Sequence, residues 1–470
     1  MKIRSRRCFC LFLHLACAGT SLLHAQQEKP KDPFIKDKKV AAAVPASGKE
    51  TGGEPYGAGN GAAAASPQNV QCLIESFTLP QADYAALLDA PEGHDRLHAH
   101  LLAAVRAGTG AARLDACHLI TTKSGTRSTF ESVDELIYPT EWTPADRAGV
   151  QYPTAFEMRQ MGDVFEFEAT LDAEGRTLAV TQAFKRDRFL GFRPYKADTT
   201  LKGIPVMDVL SRNSSSACRM LPGYPTLIAT LKDAQPGGIM LVYATLQVVT
   251  LPAPAPKAVP ETRQGNLILT ARVISVDRMK GWELLKKHAA DGAACLAALK
   301  PMLAQKEAAL EHIATITTQS GVRSLHESGL IHTYGTEFSP PTEGVPAQPG
   351  DNPKKPGTPA RPPGLAGTTA QEQRGTGFRL ELEPTVEGPF VHLTLAPENV
   401  SITSNLKDKN YDEHYPELPL FSVQKTTTGY AQVIGTTYLI GTLNPPGDTG
   451  ANEHKDDGRI WLLFMDVNPE

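Results

Sequence analysis

ITTKSGTRSTFESVDELIYPTEW, from Ile120 to Trp142, recurs 196 residues later as ITTQSGVRSLHESGLIHTYGTEF, from Ile316 to Phe338. The two stretches align without a gap, and twelve of their 23 positions are identical. The identical residues of the first copy are Ile120, Thr121, Thr122, Ser124, Gly125, Arg127, Ser128, Glu131, Ser132, Tyr138, Thr140 and Glu141. An identity of this extent indicates an internal duplication, so the chain is predicted to contain two repeats of one structural unit.

Within each copy, two runs that favour β-structure flank a Ser-Gly pair, a pattern typical of a β-hairpin turn. Because side chains alternate between the faces of a strand, Arg127 and Glu131 are predicted to share one face and Phe130 to lie on the other. Arg127 and Glu131 would lie about 13 Å apart, so an ion pair from either must reach a neighbouring strand. A polar face kept for structural reasons is favoured over a binding site.

The order of apolar and turn residues predicts five parts of the chain. They are a signal peptide (residues 1–25), a disordered tether (26–68), a first unit (69–250), a Pro-rich linker (251–265) and a second unit (266–470) with a mobile Pro/Gly-rich insertion at 339–376. Basic residues, an apolar run and Leu23-His24-Ala25 as a cleavage site support the signal peptide and hence export. Lipid attachment at Cys17 is disfavoured, because His14 stands three residues before the cysteine, within the stretch that should be small and aliphatic.

Both units are predicted to be β-rich α+β folds, each an antiparallel sheet with a short helix pair near its start. VFEFEA (164–169) and FRLELE (378–383) alternate strictly, and an offset of 213 matches Phe165 with Phe378, so Phe165, Phe167 and Phe378 are predicted core residues. In the first unit, Leu97, Leu101 and Val105 form the expected buried helix stripe. In the second, Pro301 is expected to kink or split the helical stretch Trp282–Gln305.

The net charge limits the classes of partner that the protein can bind, and the cysteines bear on the compartment in which it resides. Removing the signal peptide deletes four basic residues and no acidic one, so the net charge falls from −4 to −8, which argues against a nucleic-acid partner. Cys72, Cys117, Cys218 and Cys295 remain. A Cys72–Cys117 disulfide and four buried free thiols are both consistent with an exported protein. After the signal peptide, no apolar run is long enough for a transmembrane helix.

No catalytic, cofactor-binding or metal-binding residue is predicted. His94 and His98 stand four apart on a helix, but the glutamate of the HExxH pattern is missing, so a solvated helix face is favoured. Tyr411-Asp412-Glu413-His414 contains only one histidine and reads as a loop. No G-x-S-x-G sequence is present, and Ser124-Gly125 belongs to a turn. The aromatic residues follow the core alternation rather than a base-stacking pattern.

The order of short motifs resembles the C-terminal core of the bacterial secretins, the ring channels of type II and type III secretion and of type IV pili. Motifs in the corresponding places are Leu269-Thr270-Ala271, Leu101–Val105, Ile137-Tyr138-Pro139, Leu439-Ile440-Gly441-Thr442-Leu443 and Arg459–Val467. The resemblance covers roughly residues 70–249 and 266–467, so the core is present twice. The segment that forms the gate in secretins is here interrupted by proline and differs between the units.

The resemblance implies a non-catalytic, structural protein of the periplasm or outer membrane. We expect a scaffold or accessory component of a secretion or pilus-like system, with envelope or secretion-system proteins, or further copies of itself, as partners. The alternatives are a subunit of a secretin-type ring channel and, less favoured, an exported enzyme.

Overall fold

The computed structural model describes residues 67–88, 93–143, 152–195, 204–233, 237–252, 265–339, 367–406, 418–451 and 458–470. All of these belong to one compact unit, residues 64–470. The predicted signal peptide, Tyr411–His414 and most of the tether, the linker and the insertion lie outside the described residues. In the part of the chain that is described, no helix has the length and apolar content to cross a membrane.

The elements follow the same order in each repeat. The first repeat contains β1 (Gln68–Pro80), α1 (Gln81–Leu88), α2 (Gly93–Ala107), β2 (Arg113–Lys123), β3 (Arg127–Trp142), β4 (Pro153–Leu171), β5 (Leu178–Tyr195), β6 (Ile204–Met220), β7 (Pro225–Lys232) and β8 (Gly238–Thr250). The second contains β9 (Leu267–Asp277), α3 (Arg278–His288), α4 (Gly292–Ala304), β10 (Ala308–Thr318), β11 (Ser324–Ser339), β12 (Gly367–Glu387), β13 (Phe390–Leu406), β14 (Leu418–Val433), β15 (Thr437–Thr442) and β16 (Arg459–Pro469). The β-rich α+β class and the helix pair near each start are confirmed.

Strands of both repeats form two continuous antiparallel sheets. The first, which we call the helix-side sheet, has the order β10-β9-β16-β15-β2-β1-β8-β7, and the second, the outer sheet, has the order β11-β12-β13-β14-β3-β4-β5-β6. Each repeat therefore contributes four strands to each sheet, rather than one sheet of its own. The predicted hairpin is wrong for the same reason: β2 and β3 lie in different sheets, and the Ser-Gly turn carries the chain from one sheet to the other.

Apolar side chains fill both faces of the helix-side sheet. Between the sheets, the predicted core residues Phe165, Phe167 and Phe378 are buried, with exposures of 1%, 1% and 4%. On the opposite face, α1 to α4 cover the sheet, and the cluster beneath them joins Leu101 of the first repeat to Trp282 of the second. The helix stripe is confirmed, since Leu97 and Leu101 are buried and Val105 packs against this cluster.

Two predictions about the second repeat are wrong in their position. The helical stretch does split, but at residues 289–291 and not at Pro301, because Asp291 caps the start of α4 by accepting a hydrogen bond from the Ala294 amide. Pro301 lies in the final turns of α4. Of the insertion expected to be mobile, residues 367–376 belong to β12 and pair with β11.

Of the two alternatives for the cysteines, the Cys72–Cys117 disulfide is not formed, since all four cysteines are free. In the β1–β2 register, Cys72 faces Ile120 and Cys117 faces Glu75, three positions away, so the two thiols lie on opposite faces of the sheet. Cys72 packs in the core between the sheets, whereas Cys117 packs beneath the helices. The other alternative, four buried free thiols, holds for three of the cysteines, whereas Cys218 is partly exposed.

The outer sheet curves so that its end strand β11 approaches β4. There β11 makes an additional pairing with β4 through Glu337 and Ala155. An apolar cluster that includes Val133, Phe156 and Phe421 fills the space that the six strands β11-β12-β13-β14-β3-β4 enclose.

Candidate functional site

In both repeats, the identical Ser and Gly residues form hydrogen bonds at the turn by which the chain passes from one sheet to the other. In the first repeat, Ser124 Oγ accepts a hydrogen bond from the Leu171 amide at 3.0 Å, and the Gly125 amide donates to Ala169 O at 2.9 Å. In the second, Ser320 Oγ accepts from the Val386 amide at 2.9 Å, and the Gly321 amide donates to Pro384 O at 2.6 Å. Both glycines have positive φ, 74° and 78°, which a residue with a side chain rarely adopts.

The polar identities around this turn are paired in the same way in both repeats. Ser128 Oγ donates to Thr122 Oγ1, and Ser324 Oγ donates to Thr318 Oγ1, each at 2.7 Å. Arg127 pairs with Glu166 of the neighbouring strand β4, as the spacing predicted. Its counterpart Arg323 pairs with Glu381 of β12. The contacts of the repeated polar face are therefore structural, as the sequence interpretation favoured.

A pair of glycines that the sequence interpretation missed corrects the offset between β4 and β12. Gly162 and Gly377 have φ of 131° and 106°, and an added Cβ would lie 2.3 Å from Ser132 O and 2.2 Å from Ser328 O. Strand register relates these positions by 215 residues rather than 213. The offset of 215 also aligns Glu166 with Glu381 and Glu168 with Glu383, whereas the offset of 213 aligns only Glu168 with Glu381, and this difference was the signal that could have revealed it.

The two repeats meet side by side at a seam formed by β15 against β2 and β14 against β3. Hydroxyl groups bond across the seam: Thr428 Oγ1 donates to Thr121 O at 2.5 Å and lies 3.0 Å from Ser128 Oγ. Close backbone approach requires a glycine there, since a Cβ on Gly441 would lie 2.3 Å from Leu119 O. Arg374 adds two hydrogen bonds to Glu135, at 2.9 and 3.0 Å.

A buried carboxylate joins the repeats beneath the helices. Glu75 is fully buried, and it accepts hydrogen bonds from Trp282 Nε1 at 2.6 Å and is paired with Lys286 at 2.9 Å and His98 at 2.9 Å. Burial raises the pKa of Glu75, but the hydrogen bond from His98 and the charge of Lys286 outweigh it, and the pKa is lowered. Glu75 and His98 come from the first repeat, whereas Trp282 and Lys286 come from the second, so this cluster fastens the seam.

The arrangement of the repeats is head to tail, because β14 and β15 of the second repeat pair with β3 and β2 of the first, so that opposite sides of the two repeats meet. The outermost strands are consequently not equivalent: β10 and β11 end the sheets on one side, and β7 and β6 end them on the other. We call these the leading edge and the trailing edge. Among the described residues, the only strand pairing on the outer side of the leading edge is that of Glu337 with Ala155.

Apolar side chains are exposed along the leading edge, whereas the equivalent side chains of the first repeat are buried at the seam. Leu114 of β2 is 5% exposed, whereas its counterpart Leu310 of β10 is 49% exposed. On β11, Leu330 and Ile331 are 68% and 72% exposed. Their counterparts in β3, at an offset of 196, are the buried acidic residues Asp134 and Glu135. The leading edge of the second repeat is therefore equivalent to the edge of the first repeat that β14 and β15 cover at the seam.

The residues weighed for metal binding are not brought together. His98 lies in α2 and pairs with Glu75, so it serves the buried carboxylate. Tyr411–His414 and the side chain of His94 lie outside the described residues. Within the ranges that the structure describes, no group of three or more His, Cys, Asp or Glu side chains could hold a metal ion.

Comparisons with known proteins identify similar structures but no family. No protein-family model matches, and no curated protein matches. Among solved structures, the chain is similar to the secretin domain of InvG from the Salmonella SPI-1 injectisome, with 8% identity, 61% of this chain and 88% of that chain covered, and a TM-score of 0.23. It is also similar to the type II secretion system secretin GspD of E. coli K12, with 11% identity, 52% and 57% covered, and a TM-score of 0.22. These similar structures are secretins, but TM-scores of this size carry no argument about function.

Proposed function

We propose that the chain is a non-catalytic structural protein of the bacterial cell envelope, a scaffold or accessory component of a secretion or pilus-like system. In this proposal it assembles by pairing the leading edge of one copy with the trailing edge of the next. The observation that carries the proposal is the head-to-tail seam, because one chain already contains one such junction and has the two complementary edges at opposite ends of its sheets. The motif order that resembles secretins supports the envelope setting.

Strand equivalences define the expected contact between copies. At an offset of 212, Ser214, Ser215 and Ser216 of β6 correspond to Thr426, Thr427 and Thr428 of β14. Ser324 of β11 corresponds to Ser128 of β3. The hydroxyl contact of Ser128 with Thr428 at the seam would thus be repeated between copies by Ser324 and Ser216.

At one position, the expected contact between copies would differ from the seam. Ala229 of β7 corresponds to Gly441 of β15, where a Cβ would lie 2.3 Å from a backbone oxygen. Pairing between copies must therefore be shifted or wider at this point in the helix-side sheet. We expect a junction that is weaker than the seam and depends on concentration.

The self-assembly of the proposal is tested by the mass of the purified protein, processed by its own host, in light scattering over a range of concentrations. We expect oligomers that the paired substitutions Leu330→Lys and Ile331→Lys dissociate, because charges on an edge strand oppose strand addition. Ile402→Lys is the matched control, since Ile402 is 38% exposed and lies on β13, two strands away from the leading edge. A monomer at every concentration, or oligomers indifferent to the edge lysines, would contradict self-assembly.

The envelope role needs a separate measurement. Cross-linking in its own envelope, followed by purification, should recover envelope or secretion-system proteins with the chain. Conductance after reconstitution in liposomes distinguishes the alternatives. We expect none from the scaffold, whereas stable channels together with a heat-modifiable multimer would favour the secretin-type ring channel.

A further inference from the structure

A charged cavity of about 230 Å³ lies where the first repeat meets the second. Its wall includes six arginines and five aspartates, and both repeats contribute to it. Arg212 and His118 line it from the first repeat, and Arg278 and Arg459 line it from the second. Nothing in the proposed assembly uses this cavity.

The carboxylates of the cavity wall already have cationic partners. Arg186 holds Asp163 through two hydrogen bonds. Arg188 pairs with Asp448 at 2.8 Å, and Arg113 pairs with Asp115 at 2.6 Å. Asp187 accepts a hydrogen bond from Ser211 at 2.6 Å and lies 3.3 Å from Lys185 and 3.4 Å from Arg159. Asp233 is the loosest, because its nearest cation, Arg212 Nη1, is 3.8 Å away.

Arg212 has a buried donor without an acceptor. The residue is 7% exposed, and its Nη1 donates to Lys232 O at 3.3 Å. Its Nε has no hydrogen-bond partner. A buried N–H without an acceptor costs free energy comparable to a lost hydrogen bond. The cost is removed if an acceptor enters the cavity.

His118 provides a second such donor. Asn444 Nδ2 donates to Cys117 O at 2.6 Å, and Asn444 Oδ1 accepts from the Trp461 amide at 2.9 Å, so the orientation of the amide is fixed. Asn444 Nδ2 lies 3.3 Å from His118 Nδ1, which must then accept, and the ring proton is on Nε2. That Nε2 has no hydrogen-bond partner, and its nearest carboxylate oxygen, on Asp163, is 3.7 Å away.

We propose that this cavity binds a small oxyanion of the phosphate or sulfate type, which accepts hydrogen bonds from Arg212 Nε and His118 Nε2. Among the described residues of the wall, six arginines face five aspartates, so cationic groups outnumber carboxylates. The volume is below the roughly 300–1,000 Å³ of sites for drug-sized ligands, so the ligand is small. Because both repeats line the cavity, a bound anion also stabilises their seam.

Isothermal titration of the full-length folded protein with inorganic phosphate tests the site, with sulfate and chloride at matched ionic strength as further arms. We expect saturable binding of phosphate or sulfate, and none of chloride, at concentrations up to about 10 mM. Arg212→Gln should weaken this binding at least about tenfold, since a charged donor is lost. Arg219→Gln is the matched control, because Arg219 lies on the same strand, is exposed and does not line the cavity.

Replacing a buried arginine by glutamine can itself disturb folding, so Arg212→Lys is the second variant. It keeps the positive charge but removes the Nε donor. Weakened binding in this variant, with circular dichroism unchanged, supports the site. Absence of saturable oxyanion binding in the unmodified protein, or binding that neither Arg212 variant alters, would overturn the proposal and leave water as the partner of both donors.

Discussion

Substituting Gly441 by alanine should weaken the seam between the repeats. An added Cβ would lie 2.3 Å from Leu119 O and 3.2 Å from Leu119 C, and real Cβ atoms do not approach a backbone this closely. A flexible side chain could move away at little cost, but a β2 backbone paired on both sides cannot. Overpacking of a core costs about 1–3 kcal/mol, and contact with backbone places Gly441→Ala at the upper end, near 3 kcal/mol.

The assay is urea unfolding followed by circular dichroism, with the slope m compared between variants to confirm that the same surface is exposed. Gly447→Ala is the matched control, since no atom lies within 4 Å of its added Cβ and its φ is not positive. We expect that control to change the free energy of unfolding by less than about 0.5 kcal/mol. If Gly441→Ala is as stable as the control, the close approach of β15 to β2 is wrong.

Three further predictions concern the interior of the fold. Glu75→Gln should cost about 1.5–3 kcal/mol at pH 7, because it removes the buried anion with which the partly buried Lys286 is paired. The difference from the unmodified protein in urea unfolding should shrink as the pH falls below 4.5, the ordinary glutamate pKa, since the stabilisation from a lowered pKa in the folded state is lost progressively below that value. A difference that grows in acid would contradict this. Phe167→Ala should lower the unfolding free energy by about 3–5 kcal/mol, against less than about 0.5 kcal/mol for the exposed Met158→Ala, and melting curves with the reverse ranking would refute the strand assignment. Alkylation followed by mass spectrometry should label Cys218 in the native protein but Cys72 only after unfolding, because burial blocks access and raises the thiol pKa of Cys72; equal rates would argue against the buried position of Cys72.

Strand positions were predictable from the sequence because a half-buried strand alternates regardless of its partners. Phe165 and Phe167 therefore belong to the core as expected. The partner of a strand is not encoded locally, and a Ser-Gly turn with positive φ at glycine serves either a hairpin or a passage between sheets. The hairpin prediction failed at Gly125 for this reason, although the turn itself was identified correctly.

The sequence left the Cys72–Cys117 disulfide open, because assigning both cysteines to strands does not tell which face of the sheet each thiol occupies. Cys72 and Cys117 do lie on adjacent strands, but their odd separation in register turns one thiol towards the other sheet and one towards the helices. The seam was not predictable either. Gly441 and Ala229 occupy equivalent positions, and only the paired sheets reveal why one needs glycine.

Among the site residues, those within the repeated motif could be identified from the sequence, whereas those that meet only through the fold could not. The identities of Arg127 and Ser124 with their repeats marked them as structural. Glu75 and Trp282 are 207 residues apart in sequence, and no repeat pattern links them. Likewise, the exposed Leu330 becomes informative only once the strand order places β11 at an edge.

Disulfide trapping between copies tests head-to-tail assembly most directly. Ser216→Cys and Ser324→Cys are introduced together, with Cys218→Ser to remove the partly exposed native thiol. Their counterparts at the seam, Thr428 and Ser128, face each other in adjacent antiparallel strands, where Cα separations of about 4.5–5.5 Å suit a disulfide.

Within one chain, the two new cysteines lie on the trailing and leading edges, so a bond between them must join different copies. Mild oxidation followed by non-reducing electrophoresis should give a ladder of dimers, trimers and larger species from the double variant. Each single-cysteine variant should stop at dimers or remain monomeric. A double variant that gives no species beyond those of the single variants would contradict head-to-tail assembly.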